Sequence, residues 1–531
     1  MPLGSGSVEF LYPPIDVKRF RAYPSDFEIW DVRQQIHDGQ NEIDQLDEEI
    51  NCVCKNFWLL QERRDRIRRR VDEYRAFVSP IRRIPPEIWN EIFIRCLHDS
   101  HGLCITDTEI FAPTMDLSQV CGSWRETVTS TPKLWADLDI NLIRGGPETA
   151  ARVALYLEHS GDSPLILNVQ ALDGNLQGVE NLDRSWVWKT LEMLLNNHTR
   201  WYKVKVNLLW EILDHKEVQN LFQNISTHCD VLQYISVVFG NAFPPQIHEY
   251  SPALFQILKQ APQLQSLHLD EFGPFLNLPF FQLLDITVSA FWSWADILKC
   301  LSMCPSLQKA DITIEEIEDD DPEFKKFCHV ELRSFKCTFS CVWHVNDVLS
   351  ALMLPAINEL ELSVTNPDSE SDGAGLKNML SQSSCQLETL KLNGFYTSEQ
   401  ELINILFIIP TLLHFELDSV SFTTAFFQNL TFQDGITAIL PRLTSFSISI
   451  RGSPTDPPLP DPKAILLMVR SRRPVKDTQE RARLTHFDFV VSGPVDIVDE
   501  EWLELFSSEV VPSLRALESE GLELKLEIGS E

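Results

Sequence analysis

The chain has 531 residues, 44% hydrophobic and 10% aromatic, with 77 acidic against 45 basic side chains and a formal charge of −32. Such a length exceeds one compact core, implying several domains or an elongated array of repeats that bury one another, and the apolar content excludes disorder of the whole chain. The charge would repel a phosphate backbone, which counts against general nucleic-acid binding and favours a basic or neutral partner.

Residues 1–26, rich in Gly, Ser and Pro without periodicity, read as a mobile arm. No basic flank precedes an apolar core there, and no window reaches the roughly 18 apolar residues of a membrane span, so a cytoplasmic or nuclear protein is expected. The 12 cysteines follow no disulfide framework and sit mostly in apolar segments (Cys96, Cys121, Cys300, Cys337), as reduced, buried thiols do.

Residues 27–79 carry a heptad pattern. Ile29, Ile36, Ile43, Ile50, Phe57 and Val71 fall on one seven-residue frame, Val32, Leu46, Val53, Leu60, Ile67 and Tyr74 three residues behind it, and only Gly39 and Arg64 interrupt the seam before Pro80. This predicts a long coiled-coil-like helix, a rod of about 75 Å. Its apolar stripe calls for a cover: a second copy in a homodimer, another protein, or the body of its own chain. A hinge at Gly39 would instead let two shorter helices fold back on each other. The arginine-rich stretch from Arg63 to Arg83 reads as a solvated helix face ahead of a phosphate-binding patch.

Next, Ile84-Pro85-Pro86-Glu87-Ile88-Trp89-Asn90-Glu91-Ile92-Phe93 places two prolines at a helix start, where a missing N–H is harmless, and sets Ile88, Ile92 and Phe93 on one face. After a polar insertion from His98 to Thr114, the residues Leu117, Val120, Cys121, Trp124 and Arg125 are spaced for a second helix, and Thr131-Pro132-Lys133-Leu134-Trp135 stops and restarts the chain. This order of elements over 80–140 resembles the F-box, in particular the variant common in mushroom-forming fungi: an Ile-Pro-Pro-Glu opening, an Ile-Phe pair, Val-Cys-x-x-Trp-Arg and a closing Leu-Trp. Ile84 stands where Leu is usual, and the insertion is longer than in the simplest F-boxes.

The resemblance implies a small helical bundle that docks onto a Skp-type adaptor, and through it onto a cullin, so that the chain recruits substrates to a ubiquitin ligase. It implies that Ile84, Pro85, Ile88, Ile92, Phe93, Leu117, Val120, Trp124, Leu134 and Trp135 divide between the bundle core and the adaptor contact, with Trp124 suited to either.

From 141 to 531 a theme recurs. Pro262-Gln-Leu264-Gln-Ser-Leu267-His-Leu269 returns at Pro305, Pro355, Pro410 and Pro441, and without the proline at Leu332 and Leu387; the first apolar positions 307, 332, 357, 387, 412 and 443 advance by 25, 25, 30, 25 and 31 residues. Helical patterns lie between (Ala253–Lys259, Trp294–Leu301, Asn346–Leu352, Gln400–Ile409). One strand and one helix per unit resembles an irregular leucine-rich-repeat solenoid, an α/β repeat fold, with degenerate strands near Leu165, Val204, Val231, Leu484 and Leu522. The acidic run Glu315–Glu323 and the stretches 366–375 and 451–463 read as exposed loops.

No phosphate-binding glycine loop, H-E-x-x-H or G-x-S-x-G elbow is present, and carboxylates are too abundant to single out an acid–base pair, so neither an enzyme nor a cofactor is expected. The nearest approach to a metal set, Cys96-Leu-His98-Asp-Ser-His101-Gly-Leu-Cys104, lacks the paired-ligand spacing of structural zinc. In L-x-x-L-x-L the intervening residues point away from the core, so one sheet face is expected to show His268, Asp270, Lys309, Asp311, Ser334, Lys336, Glu359, Glu361, Thr389, Lys391, His414, Glu416 and Asp418. That mixed, slightly acidic face suits a protein substrate with basic or hydrogen-bonding groups.

Overall fold

In the computed structural model a single helix, α1 (Asp26–Val78), begins where the sequence supplies a cap. The Ser25 hydroxyl accepts from the Glu28 amide at 3.4 Å, while the Ser25 amide donates to the Glu28 carboxylate at 2.9 Å. The helix runs unbroken through Gly39, without the hinge considered above, and none of its side chains is buried. A tight turn over Pro80–Arg83 follows.

The structure describes residues 25–97, 101–106, 109–142, 146–171, 185–208, 220, 228–239, 258–270, 272, 278–291, 293–315, 324–366, 373–395, 397–419, 422–433, 438–451, 459–473, 482–492 and 500–529. The expected arm up to residue 24, most of the acidic run, residues 452–458 of the 451–463 loop and most of the helical pattern at 253–259 lie outside them; the end of that loop, from Pro462, is already helical. The chain divides between Trp89 and Asn90 into two compact units, and the second holds every described strand.

Three short helices, α2 (Pro86–Cys96), α3 (Pro113–Val120) and α4 (Gly122–Thr129), occupy the 80–140 segment. The single helix expected through Cys121 is two: Cys121 adopts an extended backbone, and its sulfur accepts from the Trp124 amide at 3.5 Å, capping α4. The polar insertion contributes β1 (Leu103–Ile105) and β2 (Ile110–Phe111).

The described strands β3 (Asp137–Asn141), β4 (Leu165–Ala171), β5 (Trp201–Leu208), β6 (Tyr234–Phe239), β7 (Ser266–Leu269), β8 (Asp285–Phe291) and β9 (Lys309–Ile314) stand side by side in chain order, all parallel. A short β10 (Phe327–Cys328) pairs separately with β12 (Leu352–Met353). The main sheet continues through β11 (Ser334–Phe339), β13 (Glu359–Val364), β14 (Thr389–Asn393), β15 (His414–Ser419), β16 (Ser445–Arg451), β17 (His486–Ser492) and β18 (Glu523–Gly529). At the other end β1 lies parallel to β3 and β2 closes antiparallel, so the F-box-like segment itself supplies the sheet's first strands.

The repeat is visible in the backbone. The carbonyl before each strand accepts from two successive amides of the next unit: Gln308 from Arg333 and Ser334, Arg333 from Asn358 and Glu359, Asn358 from Glu388 and Thr389, Glu388 from Leu413 and His414. Parallel strands need crossovers, and helices such as Trp294–Met303, Val345–Ala351, Ala374–Ser383 and Glu399–Phe407 provide them. The alternation of buried and half-exposed residues along strands such as β11 and β13 puts one set of side chains in a core shared with neighbouring units; Phe415 and Phe446 stack there at 5.5 Å.

Several strands fell outside the sequence template. β8 lacks the leading proline although Leu283, Ile286 and Val288 occupy the apolar positions, β1, β2 and β3 lie within the 80–141 segment, and β10 and β12 are two-residue strands without the pattern.

Candidate protein-interaction surfaces

The ten residues drawn from the F-box resemblance separate by exposure. Phe93 is 1% exposed, and Leu134 and Trp135 are buried as well. The Trp135 indole N–H donates to the Val128 carbonyl at 2.9 Å, and its ring contacts Tyr156 and His159 with centroids 4.9 and 4.6 Å away. The Tyr156 hydroxyl donates to the Gly102 carbonyl at 2.9 Å, and burial pushes its pKa up to about 12. Thr114 donates to the Leu134 carbonyl at 2.8 Å. These contacts tie insertion, helices and sheet into one core. Trp124, half-buried, meets Phe93 edge-on at 4.8 Å.

Ile92 and Val120 stand out in water, 36% and 59% exposed, with Ile110 and Phe111 of β2 also exposed; Leu117 is half-buried. In the first unit, Pro85 and Ile88 are exposed and Ile84 is half-buried.

Of the metal-like spacing, Cys96 is exposed at the end of α2, His98 lies outside the described residues, and His101 and Cys104 turn toward carboxylates of β3. His101 Nδ1 lies 2.6 Å from Asp137 and Nε2 3.6 Å from Asp139. The hydrogen bond to Asp137 raises the His101 pKa against the opposing effect of burial. A raised histidine value stabilises the fold below the unfolded pKa and loses that contribution as pH rises through the folded one. His101→Gln should therefore cost more stability at pH 5.5 than at pH 8.5; urea unfolding at the two pH values checks this, and an equal or larger cost at pH 8.5 would refute it.

On the sheet, strand register brings the expected substrate-face residues into rows. Asp311, Lys336, Glu361, Lys391 and Glu416 are direct neighbours on five successive strands, with His268 farther along the same row. Their charges alternate. Lys336 Nζ lies 3.7 Å from Asp311 and 3.2 Å from Glu361, and Lys391 Nζ lies 3.0 Å from Glu416. Burial pulls the Lys336 pKa down, but the flanking carboxylates outweigh it and the net shift is upward; burial raises Asp311 and lowers His268.

Lys309, Ser334, Glu359, Thr389 and His414 form a second row, and Asp418 a third with Asn393; Asp270 sits just past the end of β7. The first row continues through residues that the template did not single out: Asp139, Asn168 and Lys205 before it, and Ser447, Asp488 and Lys525 after it. The apolar–polar alternation of their strands was the signal that could have found them. Five carboxylates stand against four lysines along this row, so most of its charge has an opposite neighbour across the strands.

Among the described residues no helix is long and apolar enough to cross a membrane. No protein-family model and no curated protein matches the sequence, so fold and surfaces carry the functional argument.

Proposed function

We propose that this protein is a non-catalytic F-box adaptor: its 80–140 segment docks a Skp-type adaptor, and through it a cullin, while a leucine-rich-repeat array binds a protein substrate. The observation that carries the proposal is the ordered motif from Ile84 to Trp135, whose most buried members hold a helical core while Ile92 and Val120 stay in water. Exposed large apolar side chains beside a packed aromatic core suit a protein contact. Support for the repeat type comes from the L-x-x-L-x-L strands, the helical crossovers and the unit-to-unit carbonyl pattern.

The test is co-expression of the full chain with a Skp-type adaptor followed by gel filtration. The full chain is needed because a fragment ending at residue 140 would cut β3 and remove Tyr156 and His159 from the Trp135 ring. Wild type should co-elute stoichiometrically, and Ile92→Asp with Val120→Asp should abolish co-elution while the chain remains folded. Undiminished binding by the folded double variant would remove these residues from the contact, and no wild-type complex would remove the adaptor function.

The rows of paired charges suit a substrate presenting both basic and hydrogen-bonding groups. Part-exposed pairs hold one another weakly, by about 0.2–1 kcal/mol each, and yield readily to a competing partner. A second reading, a repeat scaffold without ligase function, draws on the exposed seam of α1 and predicts self-association without adaptor binding.

A further inference from the structure

From the exposed seam of α1 we infer that the protein pairs with a second copy of itself as an antiparallel two-stranded coiled coil, with Ile50 of each chain opposite Val53 of the other. This goes beyond the adaptor function and does not depend on it. Apolar seam residues from Ile36 to Tyr74 are exposed, many by more than half, along a helix that buries none of its side chains. The pattern spans more heptads than a stable coiled coil requires.

Three features select the second copy and its direction. First, the helix is electrically polarised: residues 26–49 hold nine acidic side chains against Arg33 alone, whereas residues 55–75 hold eight basic side chains against four acidic ones. Antiparallel pairing sets each acidic half against a basic half; parallel pairing sets like against like. Second, the two seam defects match. With Ile50 opposite Val53, the remaining layers are Ile29–Tyr74, Val32–Val71, Ile36–Ile67, Gly39–Arg64, Ile43–Leu60 and Leu46–Phe57. Arg64, the one charged seam residue in this stretch, then faces the one seam residue without a side chain, over which its stem can lie and carry its charge to the edge.

Shifting the register by one heptad drives Arg64 onto Val32 or Leu46, and a parallel dimer opposes Arg64 to Arg64 and Gly39 to Gly39. Third, this register pairs the helix over almost its whole length, Asp26 to Val78. Flanking positions agree in the main: Glu42 faces Arg63 of the second copy, although Arg33 and Arg68 remain a like pair. In a parallel dimer Glu42 would instead meet Asp47, Arg63 would meet Arg68 and Arg70 would meet Arg75. Trp30, Trp58 and Leu59 lie off the seam, and this pairing leaves them in water. The two chains would leave the coil, at Val78, about 80 Å apart.

Light scattering on the full chain gives the stoichiometry, and labels attached through genetically encoded reactive residues, which spare the native cysteines, give the direction. The expected result is a dimer in which labels at Gln34 of the two copies lie about 52 Å apart, while labels at Glu48 lie about 10 Å apart along the axis. Glu42→Lys should weaken the dimer about tenfold, and adding Arg63→Glu should restore it. A parallel dimer would bring the Gln34 labels close together and be tightened by Glu42→Lys. A monomer, a trimer, a parallel distance, or a dimer that survives Ile43→Asp with Ile50→Asp would each overturn the inference.

Discussion

Replacing Arg472 by Met will lower the stability of the 90–531 unit by about 4 kcal/mol, one of the largest single-residue effects expected in this chain. Arg472 is 1% exposed, and burial brings its pKa down to about 9, which leaves it a cation at neutral pH. The charge is spent on backbone. Nε and Nη2 donate to the Leu430 carbonyl at 3.0 and 2.6 Å, Nη2 also to Ile439 at 2.9 Å, and Nη1 to Leu440 at 2.9 Å, with the guanidinium 4.3 Å from the Phe432 ring.

Among the described residues the Leu430 and Ile439 carbonyls therefore depend on this one side chain, while the Leu440 carbonyl also accepts from the Leu443 amide at 3.3 Å. Met fills similar volume and removes the desolvation of a buried cation, but it orphans the Leu430 and Ile439 acceptors at about 1–3 kcal/mol each and weakens the satisfaction of Leu440, so the losses win. Lys would fare little better, because its ammonium cannot fork across three carbonyls. Chemical denaturation at pH 7.5 measures the effect. A loss below about 1 kcal/mol would mean that the carbonyls find water or other donors.

Arg472 also shows where the sequence stops being legible. The main-sheet strands from β9 to β17 follow from the spacing of apolar residues, because period-two alternation and a leading turn are local signals, whereas the short β10 and β12 do not. Helix α1 follows from its heptads, while the Ser25–Glu28 cap that starts it is visible only in the structure. What binds Arg472 lies 32 to 42 residues back in the chain, and no local pattern marks a side chain that satisfies distant carbonyls. Likewise, L-x-x-L-x-L identified Lys336 and Glu361 as face residues but not as partners of one another; that needed the strand register. In the F-box-like segment the motif singled out Phe93, Ile92 and Val120 together, and only packing separates the buried ring from the two exposed aliphatics.

The insertion after α2 gives the second large effect: Gly102→Val should cost about 3 kcal/mol and release β1 from β3. A Cβ at Gly102 would meet the Leu134 carbonyl at 2.6 Å, with Thr114 Oγ1 at 3.0 Å and the Asp137 carbonyl at 3.2 Å. Two of those atoms are backbone and cannot rotate away. The Gly102 carbonyl also takes the Tyr156 hydroxyl, and Leu103 and Ile105 beside it are buried in the core.

The chain cannot retain these contacts around a larger residue, so amide exchange should accelerate across Leu103–Ile105 and along β3, where a sheet edge would become exposed. Because Thr114 joins the same point to the Leu134 carbonyl, the disturbance should extend into α3, and adaptor co-elution should weaken even though Ile92 and Val120 are unchanged. Gly102→Ala should act in the same direction with a smaller effect. Wild-type exchange in β1 for the valine variant would show that the insertion tolerates displacement without losing its strand, and that the F-box-like segment and the repeats are coupled less tightly than the shared core around Trp135 and Tyr156 requires.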